Sequence, residues 1–259
     1  MYNWFLKFGL VMCMYAIGIG EKKDEVLKAY HKLSEEGIDV ELINNPKTLV
    51  DKLLNKEIDG AVRGSLSSSK VIPYLREKVG RFYRASILKN PFNREIFLLS
   101  PVGIDDIRED NEGRIKDKIE LINYAINFLK RNNIKPKIAL LSGGRLSDYG
   151  RSKEVDKTIE ECEKILKYFK ETDEKVDIVH NGILIEEVLK DGCNVIVAPD
   201  GISGNLMFRC FGLVCGLEGY GAVLLNNKEI NFFDTSRNAT WKRYYNAIKF
   251  IENINKDKS

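Results

Sequence analysis

Short, uninterrupted apolar runs alternate with segments of helical period along almost the whole chain. KIALLS (137–142), VDIVH (176–180), NVIVAP (194–199) and GAVLLN (221–226) are apolar runs of strand length. That is the pattern of strands covered on both faces of a sheet. Ile119, Ile122, Ile126 and Leu129 recur at steps of three and four, as do Val155, Ile159, Cys162, Leu166 and Phe169, and Trp241, Tyr244, Ile248 and Ile251. Each set is one stripe of an amphipathic helix. The amino-terminal half continues the alternation, with strands at 15–19, 39–43, 60–63, 81–88 and 95–99 and helices near 24–34, 47–54 and 70–79. Strand and helix in turn predict an α/β fold of mainly parallel sheets with helices on both sides.

At roughly 150 residues per domain, 259 residues suffice for one large or two modest domains. The polar stretch 101–113, ahead of a long helix at 115–131, is the expected break. A first lobe would comprise 1–100 plus 232–259, and a second lobe 101–231. Forty-one Lys and Arg against 38 Asp and Glu leave a net charge of +3, without a polybasic surface for nucleic acid. The two histidines, His31 and His180, lie far apart and do not make a multi-histidine metal site. Cys13, Cys162, Cys193, Cys210 and Cys215 show no C-x-x-C spacing and read as buried reduced thiols of a cytoplasmic protein. Residues 1–20 are rich in apolar side chains, but the uncharged run 8–20 is short of the about 20 residues that span a bilayer. Residues 14–19 read as a buried first strand, and those before it as an extension or the product of an upstream start codon.

In open α/β sheets ligands collect where strands end and helices begin. Gly18-Ile19-Gly20 lacks the third glycine and the acidic residue of a dinucleotide site, since the second strand ends in Asn44-Asn45. Arg63-Gly64-Ser65-Leu66-Ser67-Ser68-Ser69 offers hydroxyls, amides and a guanidinium; the serines either only cap the next helix or also hold an oxyanion. Ser142-Gly143-Gly144-Arg145 repeats that combination of small residues and arginine, or forms a plain turn. In Pro199-Asp200-Gly201-Ile202-Ser203-Gly204-Asn205, Asp200 or Ser203 can cap a helix, and Gly204 suits a close approach by something else. Asp234-Thr235-Ser236-Arg237-Asn238 precedes the last helix, where an N-cap accounts for Thr235 or Ser236 but not for Arg237. Together these loops would make a receptor for a phosphate-bearing ligand such as an acyl phosphate, a nucleotide or coenzyme A, with no tightly bound cofactor and no metal.

The order R-G-S-x-S-S-S, A-L-L-S, P-D-x-x-S-G-N and T-S-R resembles the phosphate acetyl/butyryltransferases, over about residues 15–252. The resemblance implies two α/β lobes around a cleft, with the final helix packed on the first lobe. It also implies that Ser236 and Arg237 serve the phosphate and thioester, and that Asp200, Gly204 and Asn205 shape the cleft. The acetyl-transferring branch carries an aspartate a few residues beyond its S-R pair, whereas Asn238-Ala239-Thr240-Trp241-Lys242-Arg243 has no carboxylate. G-I-G-E at 18–21 and D-G-x-S-G-N at 200–205 are similar to the methanogen-marker family called methyltransferase subunit X. That likeness implies methyl-transferring subunits as partners. Asp177-Ile178-Val179-His180-Asn181-Gly182 misses the spacing of a corrinoid motif. Three roles are open at this point: a subunit of a methyltransferase complex that binds a small anion, a phosphate acyltransferase acting on an acyl-CoA, or a non-catalytic ligand-binding scaffold. Apolar residues over 206–217 suit a buried helix or a homodimer contact.

Overall fold

In the computed structural model, residues 14–172, 175–227 and 229–256 are described. The amino-terminal extension read above, with Cys13, lies outside them.

The elements follow as β1 (Met14–Gly18), α1 (Asp24–Glu35), β2 (Asp39–Ile43), α2 (Pro46–Leu54), β3 (Gly60–Val62), α3 (Ser68–Val79), β4 (Arg84–Lys89) and β5 (Ile96–Ser100). Then come α4 (Asn111–Arg131), β6 (Ile138–Leu140), α5 (Lys153–Glu171), β7 (Ile178–His180), α6 (Ile185–Lys190) and β8 (Val195–Val197). The chain ends in α7 (Gly201–Phe208), a π-helical segment (Arg209–Val214), β9 (Gly219–Leu224), β10 (Phe232–Asp234) and α8 (Trp241–Lys256). The predicted stripes are the buried faces: Ile122, Ile126 and Leu129 of α4, Ile159, Cys162 and Phe169 of α5, and Tyr244, Ile248 and Ile251 of α8 are all nearly inaccessible.

One sheet carries all these strands, in the order β2-β1-β3-β10-β9-β4-β5-β8-β6-β7. It is mostly parallel, as expected, but β9 and β4 form an antiparallel strip in its centre. Following the pairings across that strip, β2-β1-β3-β10 and β5-β8-β6-β7 run in opposite senses. Both groups therefore send strand-end loops toward the middle. Ser86 and Ala222 pair in the strip and offer a floor of small side chains. The final helix packs on the first: Tyr245 Oη of α8 donates to Glu36, and Lys249 Nζ lies 3.3 Å from the same carboxylate.

Three expectations change. β7 is an edge strand, so Val179 is exposed rather than covered on both faces. Cys162 and Cys193 are buried, but Cys210 and Cys215 are exposed, because the π-helical segment and its end lie at the surface. Burial pushes the Cys162 thiol up to about 12, far from a reactive thiolate. The stretch 206–217 is not a buried helix, with Leu206 58% and Val214 81% exposed. Among the described residues no helix is long and apolar enough to cross a membrane.

Candidate functional site

The loops after β3, β5 and β10 close on the central strip together with α7, and enclose a cavity of about 640 Å³. Arg63, Arg84, Arg209 and Arg237 face it against Asp105 and Asp234. Its wall on one side is the start of α3, with Ser67, Ser68 and Ser69; on the other it is Asn205 and Phe208 of α7. A second cavity of about 390 Å³ adjoins it, with Lys22, Lys70, Ser65 and Asn44 in its wall. Ser67, Arg237 and Asn238 border both. The sequence-predicted loops at 63–69, 199–205 and 234–238 do converge.

The roles within them are unequal. Arg63 is 5% exposed, and its three nitrogens donate to Asp234, to the Leu66 carbonyl and to the Thr235 carbonyl. It ties the β3 loop to β10 instead of presenting a free cation. Arg84 takes the other Asp234 oxygen at 3.0 Å, Asp106 at 2.9 Å and Asp105 at 2.8 Å. Burial alone would raise the Asp234 carboxyl, but the charges of Arg63 and Arg84 hold it below the usual range. Asp234 is thus a fixed anion, not a base waiting for a proton. Asp105 is likewise held low, by Arg76 and Arg84 against the upward push of burial.

Arg237 and Arg209 differ. Both are exposed, and neither guanidinium makes a hydrogen bond or ion pair among the described residues. Ser236 accepts the Asn238 amide at 3.2 Å, and its carbonyl accepts the Tyr244 hydroxyl at 2.9 Å, which fixes the turn that carries Arg237. Opposite lies the start of α3, where the N-cap Ser67 makes no capping bond and instead meets Ser69 Oγ at 2.8 Å. A helix start without a side-chain cap leaves amide donors and the positive dipole end for an anion.

Of the other predicted residues, Gly64, Asp200, Ser203 and Gly204 line neither cavity, whereas Asn205 and Ser65 do. Asp200 and Ser203 cap α7 reciprocally, Ser203 N donating to Asp200 Oδ1 at 2.7 Å. A Cβ on Gly204 would stand 1.9 Å from the Pro101 carbonyl, so what approaches this glycine is backbone and not ligand. Gly64 has φ +60° and is pressed against the Gly18 carbonyl. Asn205 faces the cavity, its side-chain amide donating to the Val102 carbonyl at 2.9 Å. Ser65 faces the second cavity and accepts the Gly20 amide at 2.8 Å.

Ser142 and Arg145 face neither cavity. Ser142 is buried, donates to the Gly144 carbonyl at 2.9 Å and lies 3.0 Å from His180 Nε2. Arg145 begins an exposed turn in which its amide donates to Asp148. The loop after β6 is a plain turn, because β6 and β7 lie at the sheet edge, away from the central strip. Sequence reasoning missed Arg209, Lys22 and Lys70. A lone arginine inside the apolar run LMFRCFGLV was the available signal for the first.

Asp117 and Glu161 are held below their usual range as well, against burial, by Arg81 and Arg108 and by Arg114 and Lys118. A carboxyl with a lowered folded-state pKa stabilises fully above its unfolded pKa, about 4, and that stability is lost as pH falls through the folded value. Urea melts should therefore give constant stability from pH 6 to about 5 and a steep decline below about 4, as the unfolded chain takes up protons first. A flat profile down to pH 2.5 would contradict this reading of the four carboxylates Asp105, Asp117, Glu161 and Asp234.

No group of three or more His, Cys, Asp or Glu side chains suited to a metal occurs among the described residues. No family model matches the chain. It is 70% identical over 241 residues to an uncharacterized methyltransferase of Methanocaldococcus jannaschii, covering 93% of this chain and 98% of that one. A "Putative methyltransferase mtx subunit X" of Methanosarcina barkeri is 35% identical over 211 residues, 80% of this chain and 74% of its own. Among solved structures, the branched-chain phosphotransacylase of Enterococcus faecalis superposes with a TM-score of 0.68 at 13% identity, over 94% of this chain and 99% of that one. The last likeness is one of fold.

Proposed function

We propose, because this chain belongs to the methanogen mtx subunit X family, that it is the ligand-binding subunit of a methyl-transferring assembly and that its cleft takes a small phosphate-bearing molecule. The observation that carries the reading is Arg237, whose guanidinium has no hydrogen-bond or ion-pair partner among the described residues, borders both cavities and faces the uncapped start of α3. A phosphoryl group between them would meet Arg237 on one side and the Ser68 and Ser69 amides on the other, with Arg209 at the rim. Coenzyme A and acyl phosphates carry such groups.

Calorimetry with phosphate, acetyl phosphate and coenzyme A tests the ligand. Arg237→Ala should weaken the binding about 10- to 100-fold, the range of a charged hydrogen bond, and leave the melting temperature unchanged. No heat with any of the three ligands would sink the reading. The assembly is tested separately. Tagged protein from a methanogen should co-purify with methyl-transferring subunits, and adding it should change their methyl-transfer rate.

A second reading, phosphate acyl transfer, draws on the position of Ser236 and Arg237 in a cleft of phosphotransacylase fold. Arg237 would stabilise charge on the transferring centre, and Ser236 would hydrogen-bond the leaving thiolate. The nearby carboxylates Asp234 and Asp105 are both committed to arginines, so substrate or water would have to take up the proton. Phosphate-dependent thiol release from a panel of acyl-CoAs discriminates the two readings. Release that survives Arg237→Ala would contradict the role given to that residue.

A further inference from the structure

The buried cations around the cleft each have a carboxylate: Arg63 and Arg84 share Asp234, and Arg114 and Lys118 share Glu161. Arg243 of α8 does not. It is only 6% exposed, and its Nη2 donates to the Gly212 carbonyl at 3.1 Å and the Leu217 carbonyl at 2.9 Å. Its guanidinium stands 5.3 Å from the Phe208 ring centre, while Nη1 is buried without a hydrogen-bond partner among the described residues. A buried charge with neither counter-charge nor full hydrogen bonding is costly. Two carbonyls and a ring compensate only one side of it.

Arg243 borders a cavity of about 750 Å³, separate from the two already described. Lys242, also without an ion-pair partner among the described residues, stands beside it, and Thr240, Asn246 and Asn238 add hydrogen-bonding side chains. Pro91 and Leu217 form an apolar part of the wall, and an Arg94–Glu218 pair at 3.1 Å lies on its edge. The space exceeds a bare inorganic ion, which points to an anionic group on a larger body. Asn238 also borders both cavities of the cleft, so the sites are neighbours.

We propose that this cavity is a second anion site, in which Arg243 and Lys242 hold the phosphate or carboxylate group of a small molecule other than the cleft ligand. The competing account is that Arg243 only neutralises carbonyls at the end of the π-helical segment, as cations do at helix carboxyl ends. That account predicts no bound anion.

Crystals of the intact protein soaked in tungstate should show anomalous density within about 4 Å of the Arg243 guanidinium, the reach of an ion pair. In solution, phosphate titration followed by calorimetry should retain one class of sites in Arg237→Ala. That remaining class should weaken about tenfold or more in Arg243→Gln. Lys242→Gln, at an exposed position, reads the same site if Arg243→Gln does not fold, and should weaken it about threefold or more. Loss of all phosphate binding in Arg237→Ala together with no density at Arg243 would overturn the proposal. Binding that responds to Arg243 and Lys242 but not to Arg237 would instead uphold this site and refute the one assigned to the cleft.

Discussion

Asp234→Asn is expected to destabilise the protein by about 3–5 kcal/mol, the loss that follows when one partner of a buried ion pair is removed. The carboxylate is 11% exposed and binds Arg63 through one oxygen and Arg84 through the other. An amide presents one acceptor and two donors, so one of the two guanidinium groups would face N–H in place of oxygen. Arg84 keeps Asp105 and Asp106, but Arg63 pairs with no other carboxylate among the described residues. Arg63 also holds the Thr235 carbonyl, and Thr235 donates to the Gly64 carbonyl at 3.2 Å. Loosening Arg63 therefore loosens the turn that presents Ser236 and Arg237. Urea denaturation gives the stability change, and phosphate affinity should fall in the same variant even though Asp234 is committed to arginines. A loss below about 1 kcal/mol would show that the network is not what holds the two loops together.

That network also marks how far the sequence could be read. Amphipathic stripes on α4, α5 and α8 and the continuous apolar strands were legible because burial imposes a period on the residues themselves. The sense of the central strands was not legible, since a run such as GAVLLN is equally apolar in parallel and antiparallel pairing. β10 spans only three residues, too few for a period, yet it delivers Asp234 and the turn beyond it. The serine-rich loop advertised a cation at Arg63, but the carboxylate that occupies that cation lies 171 residues away. Composition around a residue cannot reveal a partner at that separation. Gly204 shows the converse. Its smallness was read correctly as a sign of close approach, while the approaching group, the Pro101 carbonyl, is set by how α7 packs beside β5. Arg237 stood out in the sequence because a guanidinium beside a helix-capping turn has no local structural use, and among the described residues that guanidinium makes no hydrogen bond or ion pair.

Glu161→Gln should cost about 3–5 kcal/mol by the same principle, through a triad behind the cleft. Lys118 is 1% exposed and donates to Glu161 at 2.9 Å, while Arg114 Nε meets the other oxygen at 2.7 Å. Arg114 also donates to the Pro199 carbonyl at 3.0 Å, immediately before the loop that starts α7. Glu161 thus joins α5 to α4 and, through Arg114, steadies the segment whose Asn205 faces the cavity. The glutamine variant leaves Lys118 charged and buried without a counter-charge, which is the costly state. Adding Lys118→Met removes that charge and keeps most of its volume, so the double variant should regain at least about half of the loss, as apolar replacement of buried ion pairs is often nearly neutral. A thermodynamic cycle over the two single variants and the double measures this directly. Strict additivity of the two substitutions would mean that Lys118 and Glu161 do not depend on each other, and would remove the triad from the account of how α7 is held against the cleft.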